Sequence, residues 1–308
     1  MSSTLDQMIR MKNVDKKDVC VVHLVWVPLG LEPLKRFLKA YNLYRAGMDH
    51  DLLVVFNGFK HEKELEIYKQ TLIGFKHNIF LIWKSNFDVQ SYFTVVQRHT
   101  YDYFCFLNSY SRVQAHDWLL KMYTHIVKPG VGIVGATGSW ESMYTNFLNG
   151  MEDIKDISLI KRMIRQWKQK IKKSKKKSRF DPFPNYHIRT NGFMISRDIM
   201  RKIRCGFISR KTHAYKFESG KNSITRQVAH MGLKALVVGK DGKAYEDKYW
   251  YRAETFRQGN QGNLLIADNQ TDAYAKADPE TKWILSRRSW GEYADTGISK
   301  EMAAYDNR

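Results

Sequence analysis

Cysteine, acidic side chains and long apolar runs are all scarce in this chain. Its three cysteines, Cys20, Cys105 and Cys205, lie far apart, which excludes a disulfide framework and a zinc-ligand spacing and leaves them as packing residues. No apolar run approaches the ~18 residues that a membrane-spanning helix needs. The N-terminal stretch carries Asp6, Arg10 and Lys12 where a signal peptide would be apolar. A cytoplasmic protein is therefore expected, one able to sit peripherally on a membrane. No internal repeat is evident.

The shortage of acids leaves 51 Lys and Arg against 31 Asp and Glu, a formal charge of +20. Such an excess points to nucleic acid, a membrane surface or a polyanionic substrate. Its distribution narrows that choice, because between Lys155 and Arg179 there are twelve Lys or Arg against the single acid Asp156. The rest of the chain is only mildly basic. With 308 residues and 43% hydrophobic content, there is enough apolar material for one large domain or two modest ones.

Val19 to Val27 is a continuous, largely β-branched run, and Asp51 to Phe56, ending in Asn57-Gly58, is another. Between them Leu34, Phe37, Leu38 and Tyr41 recur at helical spacing within Leu31 to Gly47, which makes a strand, helix, strand unit. The alternation continues through a helix at about 61–75, a strand from Ile79 to Trp83, a helix from Asp88 to His99 and a strand from Tyr103. Further strands are expected at Val131 to Ala136, Tyr186 to Ser196 and Ala235 to Val238. Ser196 is placed to cap a helix, and a second helix follows at Ser223 to Met231. The fold class is α/β, with a mostly parallel sheet flanked by helices. Beyond Gly239 the pattern weakens into Gly-, Asn- and Asp-rich sequence.

The segment Tyr103-Phe-Cys-Phe-Leu-Asn-Ser-Tyr-Ser111 is the most informative. A buried strand that breaks into four polar residues opens a cleft at its C-terminal end, where ligands of open α/β sheets sit. Followed by Ala115-His-Asp-Trp-Leu119, it resembles the strand of family 2-like glycosyltransferases of the nucleotide-binding GT-A fold. In that family an Asp-x-Asp motif stands where this chain has Asn108 and Tyr110. Val131-Gly-Ile-Val-Gly135, Arg189-Thr-Asn-Gly-Phe-Met-Ile-Ser-Arg197, Phe217-Glu-Ser219, Ile224-Thr-Arg226 and Met231-Gly232 resemble later family segments in the same order. The likeness runs from about Val19 to Asp241. It implies a GT-A-like domain, a Rossmann-like nucleotide-binding half plus an acceptor half, over 1–241, with a basic amphipathic insertion at 151–180. Residues 242–308 would be a C-terminal extension packed over the site.

The resemblance implies transfer of a sugar from a nucleotide-diphosphate donor to a glycan or lipid-linked acceptor. Asn57 and Asn86 fall where the family contacts the nucleotide, and Trp26, Asn108 and Tyr110 border the same edge. Glu218, just before the flexible Ser219-Gly220, is the candidate general base, which suits an inverting displacement. The ordinary alternative is a helix-start carboxylate favoured by the helix dipole. Arg257, in a glycine-containing loop, is the candidate cation for the leaving diphosphate, and a solvated loop arginine is its alternative. Trp140, His187 and Asn191 are candidate acceptor contacts, while His23, inside a strand, reads as core. The missing carboxylates put the family's Mg²⁺ or Mn²⁺ in question, because hard cations favour anionic oxygen. Asn108, Ser109 and Ser111 offer only neutral oxygens, with Asp268 as a substitute carboxylate or, alternatively, part of a turn or a helix cap.

In the basic stretch, Ile154, Ile157, Ile160, Ile164, Trp167 and Ile171 recur every three or four residues. That spacing predicts an amphipathic helix suited to an anionic membrane surface, against the alternative of a solvated insertion. Two further functions are open: nucleic-acid binding through 155–179, and a catalytically silent sugar-nucleotide binder.

Overall fold

The computed structural model describes residues 18–59, 61–83, 87–149, 172–206, 208 and 210–294. Four strands open the chain: β1 (Val19–Trp26), β2 (Asp51–Asn57), β3 (Asn78–Ile82) and β4 (Tyr103–Leu107). They are followed by β5 (Arg112–Val113), β6 (Val131–Gly135), β7 (Gly138–Ser139), β8 (His187–Ile188), β9 (Gly192–Ser196), β10 (Lys234–Val238), β11 (Ala244–Glu246) and β12 (Ile266–Ala267). Eight of these form one sheet in the order β11-β10-β6-β9-β4-β1-β2-β3. β1 pairs in parallel with β2 and β4, β2 with β3, and β6 with β10. β9 runs antiparallel between β4 and β6, and β11 is an antiparallel edge. The mostly parallel α/β sheet expected from the alternation is observed.

β1 is apolar along its length because both faces of the sheet are covered, as parallel strands require. Successive residues serve opposite cores: Val22, Leu24, Phe104 and Ile195 pack on one side, and Val21, Val54, Cys105 and Met194 on the other. Helix Glu32–Leu43 starts with a proline in its first turn and buries Leu34, Phe37 and Leu38. Full burial of each such side chain stabilises by roughly 1.5–3 kcal/mol. His23 is wholly buried and stacks on Phe37 with ring centroids 3.7 Å apart. Burial pulls its pKa down to about 3, so the ring is neutral and belongs to the core.

Two features differ from the sequence reading. The run from Tyr186 to Ser196 is not one strand. β8 leaves the main sheet to pair with β7, and β9 re-enters it after Arg189, Thr190 and Asn191. The backbone of Arg189 donates to Thr137 O (3.0 Å) and that of Ala136 to Gly192 O (2.8 Å), so the break is itself hydrogen-bonded. Between Gly239 and Ala294 the described chain is well structured. β11 extends the sheet, Trp250 is fully buried, and helices Asn269–Lys276 and Pro279–Trp290 carry side-chain N-caps from Asp268 and Asp278. Their apolar faces are weak in periodicity, so capping and tertiary packing hold them.

Candidate active site

The strand order reverses between β1 and β4, which places a crevice beyond their C-terminal ends. Trp26 ends β1, and its backbone N–H donates to Ser109 Oγ at 3.2 Å, tying the two strand ends together. Trp26 and Tyr110 are each 38% exposed, so two aromatic faces border the crevice. Asn57, at the end of β2, is buried and donates through Nδ2 to Ser91 Oγ at 3.2 Å. Asn86 lies outside the described residues.

The turn after β4 is closed by its own side chains. Asn108 Oδ1 accepts from Tyr110 N (2.9 Å) and from Ser111 Oγ (3.0 Å), a local arrangement typical of asparagine turns. Asn108 N–H and the Ser111 hydroxyl also reach Asn191 O, the former at 3.3 Å. Thus the β4 turn is fastened to the residues that precede β9. Gly192 allows close approach there, because a Cβ at this position would lie 2.9 Å from Ile266 Cδ1 on β12.

Glu218 arrives at the same junction from helix Lys211–Ser219. Its Oε2 accepts from Thr190 N (3.1 Å) and Thr190 Oγ1 (2.5 Å), one residue from Asn191. His187 is buried, with Nδ1 at 2.8 Å from Asn185 O. Burial lowers the His187 pKa, and the neighbouring Arg189 charge adds to this against the upward pull of Glu218, the Asn185 carbonyl and Glu141. The neutral ring therefore donates through Nδ1 to Asn185. Asp88, in the first turn of helix Asp88–Arg98, also senses Glu218. Burial raises its pKa to about 6 and the Glu218 charge adds to the rise, while its own backbone opposes it.

Two arginines face one phenylalanine in the C-terminal half. The Arg189 guanidinium lies 4.1 Å from the Phe256 ring centroid and that of Arg257 lies 4.8 Å from it. Arg189 pairs with Asp268 at 2.8 Å, both buried, and Arg257 pairs with Glu141 at 2.9 Å and reaches Gln270 Oε1 at 3.2 Å. Arg257 holds a left-handed backbone with φ 45°, pinned by its N–H to Gln261 Oε1 at 3.1 Å. Glu254 and Gln261 in the same loop also have positive φ. A cost of the order of 1–3 kcal/mol for each such residue persists only where surrounding contacts over-determine the loop.

The sequence-derived residues thus take distinct places. Glu218 and Asn191 meet at the β9 entry, with Asn108, Ser109 and Ser111 on the adjoining turn and Trp26 and Tyr110 at its rim. Trp140 is 4% exposed, ringed by Phe183, Tyr186, Tyr251, Trp290 and Tyr293, and its Nε1–H donates to Asp247 O at 2.9 Å. Asp268 Oδ1 caps helix Asn269–Lys276 and Oδ2 meets Arg189. Burial pushes its carboxyl up, but the Arg189 charge and hydrogen bond and the Thr271 contacts outweigh this and hold it below the usual range. Sequence reasoning missed Asp88, Glu141, Arg189 and Thr190. Only the last two had a signal, as polar residues in the same run as Asn191.

The residues present do not make a divalent-cation centre by themselves. Oδ1 of Asn108 and the Ser111 hydroxyl are engaged within the turn, Asp268 is engaged with Arg189 and its helix, and no cluster of three or more His, Cys, Asp or Glu has metal-binding geometry among the described residues. No described helix is long and apolar enough to cross a membrane. The predicted amphipathic stretch Ile154 to Ile171, with Trp167, lies outside the described residues, and residues 172–179 are helical.

No family model matches the chain, and no curated protein does. Among solved structures it is similar to the mannosyltransferase PcManGT from Pyrobaculum calidifontis, in complex with GDP-Man and Mn²⁺, at 14% identity over 88% of this chain and 69% of that one, with a TM-score of 0.46. It is also similar to 4-diphosphocytidyl-2C-methyl-D-erythritol synthase from Anaerococcus prevotii DSM 20548, at 15% identity over 66% of this chain and 84% of that one, with a TM-score of 0.37.

Proposed function

We propose that this chain is a glycosyltransferase that moves a sugar from a nucleotide diphosphate to a hydroxyl acceptor. The observation that carries the reading is the junction at β9. Glu218 is anchored to Thr190, while the next residue, Asn191, holds the turn after β4, so a carboxylate is fixed beside the crevice where a nucleotide would lie. In this reading Trp26, Asn57, Asn108 and Tyr110 border the donor, with Asn86 as a further contact. Glu218 takes the proton of the acceptor hydroxyl as its oxygen bonds to the anomeric carbon, and the bond to the diphosphate breaks with its electrons leaving on the diphosphate. A single displacement of this kind inverts the anomeric centre.

The developing negative charge needs cations, and Arg257 supplies one from a constrained loop, with Arg189 against the same Phe256 ring. A Mg²⁺ or Mn²⁺ ion would come bound to the diphosphate rather than to a carboxylate pair of the protein. Trp140, His187 and Asn191 are all buried, so their part in acceptor binding is to fix the residues around it. The acceptor is a glycan or a lipid-linked glycan, and the insertion at 151–180 is the segment proposed to meet an anionic membrane surface.

The neutral strand ends favour one second reading, a sugar-nucleotide binder without turnover. A thermal-shift series with nucleoside diphosphates, with and without Mn²⁺, tests the shared part, since ligand binding raises the midpoint. No shift with any nucleotide would remove both readings. Release of nucleoside diphosphate from a sugar nucleotide that shifts the midpoint then separates enzyme from binder.

A further inference from the structure

Outside the crevice, a cavity of about 480 Å³ lies where the loop after helix Arg197–Lys202, helix Lys211–Ser219 and the end of the 172–179 helix meet. Arg179, Arg204, Lys216 and Lys221 line it, together with His213, and no Asp or Glu is among its lining residues. This is an unusual concentration of one sign within a concave surface. Like charges repel when brought together at a surface, and an anion seated among them relieves that cost.

The cationic side chains issue from a pinned backbone. Lys221 N donates to Arg179 O at 2.9 Å, which joins two of the cation-bearing segments. The buried Gln227 clamps a third, that of Arg204, to the residue after Lys221: its Oε1 accepts from Arg204 N at 2.7 Å, and its Nε2 donates to Arg204 O and to Asn222 O, both at 3.0 Å. Gly220 N closes onto Lys216 O at 2.9 Å, and a Cβ at Gly220 would lie 2.5 Å from that oxygen, so the turn admits only glycine without a shift. Asp181 lies 3.9 Å from Lys221 and closer, 3.3 Å, to Arg226. Burial pushes the thiol of Cys205, another lining residue, up to about 11, so it adds no negative charge.

We propose that this pocket binds a phosphate-type oxyanion, a phosphomonoester or diphosphate group, through Arg179, Arg204, Lys216 and Lys221. Guanidinium groups offer paired donors that match phosphate oxygens, and ammonium groups add charge without geometric demand. The oxyanion belongs either to a lipid headgroup or to a soluble phosphate ester. The pocket lies on the segment that carries Glu218, but its assignment does not depend on the proposed transfer chemistry.

The test is calorimetric titration of the full chain with pyrophosphate. The Arg204→Gln/Lys216→Gln double variant should bind at least ~10-fold more weakly, the loss expected from removing two charge-assisted contacts. Lys221→Gln, at an exposed position, serves as a second variant, and unchanged melting temperatures establish that both are folded. Equal binding by wild type and variants, no binding by wild type, or a loss confined to the donor-side variant Arg257→Gln would each overturn the proposal. Competition separates the two sources. Displacement of pyrophosphate by vesicles of phosphatidic acid in phosphatidylcholine, but not by phosphatidylcholine alone, identifies a headgroup. Displacement by glycerol phosphate without an effect of vesicles identifies a soluble ester.

Discussion

The two sides of the crevice are built from opposite materials. On the strand-end side, β1, β2 and β4 finish in Trp26, Asn57 and the Asn108 to Ser111 turn, none of them charged, and their hydrogen bonds run within the turn or to neutral serine hydroxyls, Ser109 for Trp26 N and Ser91 for Asn57. On the facing side stand Glu218, Arg189 with Asp268, and Arg257 with Glu141, largely withdrawn from water. The difference teaches where each kind of chemistry can be held. Neutral turns are assembled from adjacent residues, whereas buried charge needs a partner delivered by tertiary structure, since an unpaired charge in the interior is prohibitively costly.

The largest expected effect lies in the charged side. Asp268→Asn preserves a side-chain oxygen for the helix cap but leaves Arg189 buried without its counter-charge. Breaking such a pair costs about 3–5 kcal/mol, to be read as a lowered denaturant midpoint with unchanged slope. A cost under about 1 kcal/mol would mean that the pair is not what stabilises this half.

Next is Glu218→Gln, which keeps the shape of the contact to Thr190 but removes the base. Transfer should fall by ~10²-fold or more while nucleotide affinity holds, the usual contribution of a positioned general base. Unchanged turnover would shift the base to another residue, and Asp88 is the first to examine.

The contrast between the two sides also explains what could be read from the chain itself. The parallel sheet was legible because continuous apolar runs alternate with helical spacing, and the β4 turn because four polar residues interrupt such a run. Glu218 was singled out only through the order of segments around it, and its role as base is the proposal made above. Asp88 and Glu141 were not singled out, because nothing at their positions announces that the fold will bring one near Glu218 and set the other against Arg257, 116 residues away. The two C-terminal helices were missed for a related reason. Their stability comes from Asp268 and Asp278 caps and from partners elsewhere, which leave little periodic trace.

Asp88 sharpens the comparison through pH. Its pKa, raised from 3.8 to about 6, means that the native state favours the protonated carboxyl beside Glu218 and the Tyr92 hydroxyl. The sign follows from linkage: this stabilisation is complete below the unfolded value, near pH 4, and is lost as the pH rises through about 6. Asp88 is partly exposed, so the effect is on the order of 1–2 kcal/mol after solvent screening. Asp88→Asn should flatten stability between those limits in denaturant melts taken across the range. A wild-type profile already flat there would place Asp88 outside the charged group.

The smallest effect is expected on the neutral side, at Ser111. Its hydroxyl is fully buried and links Asn108 Oδ1 to Asn191 O, so it acts as a fastening between the β4 turn and the entry to β9. Ser111→Ala removes one neutral hydrogen bond. Both acceptors keep another donor, since Tyr110 N still reaches Asn108 Oδ1 and Asn108 N still reaches Asn191 O. The loss should therefore be that of a typical net hydrogen bond, about 1 kcal/mol, rather than that of a stranded polar group. Nucleotide affinity should change by less than ~3-fold, because an error of that size corresponds to well under 1 kcal/mol in positioning. The measurement pairs a denaturant melt with nucleotide titration in the presence and absence of Mn²⁺. If affinity collapses only when Mn²⁺ is present, Ser111 is a ligand of the diphosphate-bound ion, and the neutral side takes part in the chemistry that the comparison assigns to the charged one.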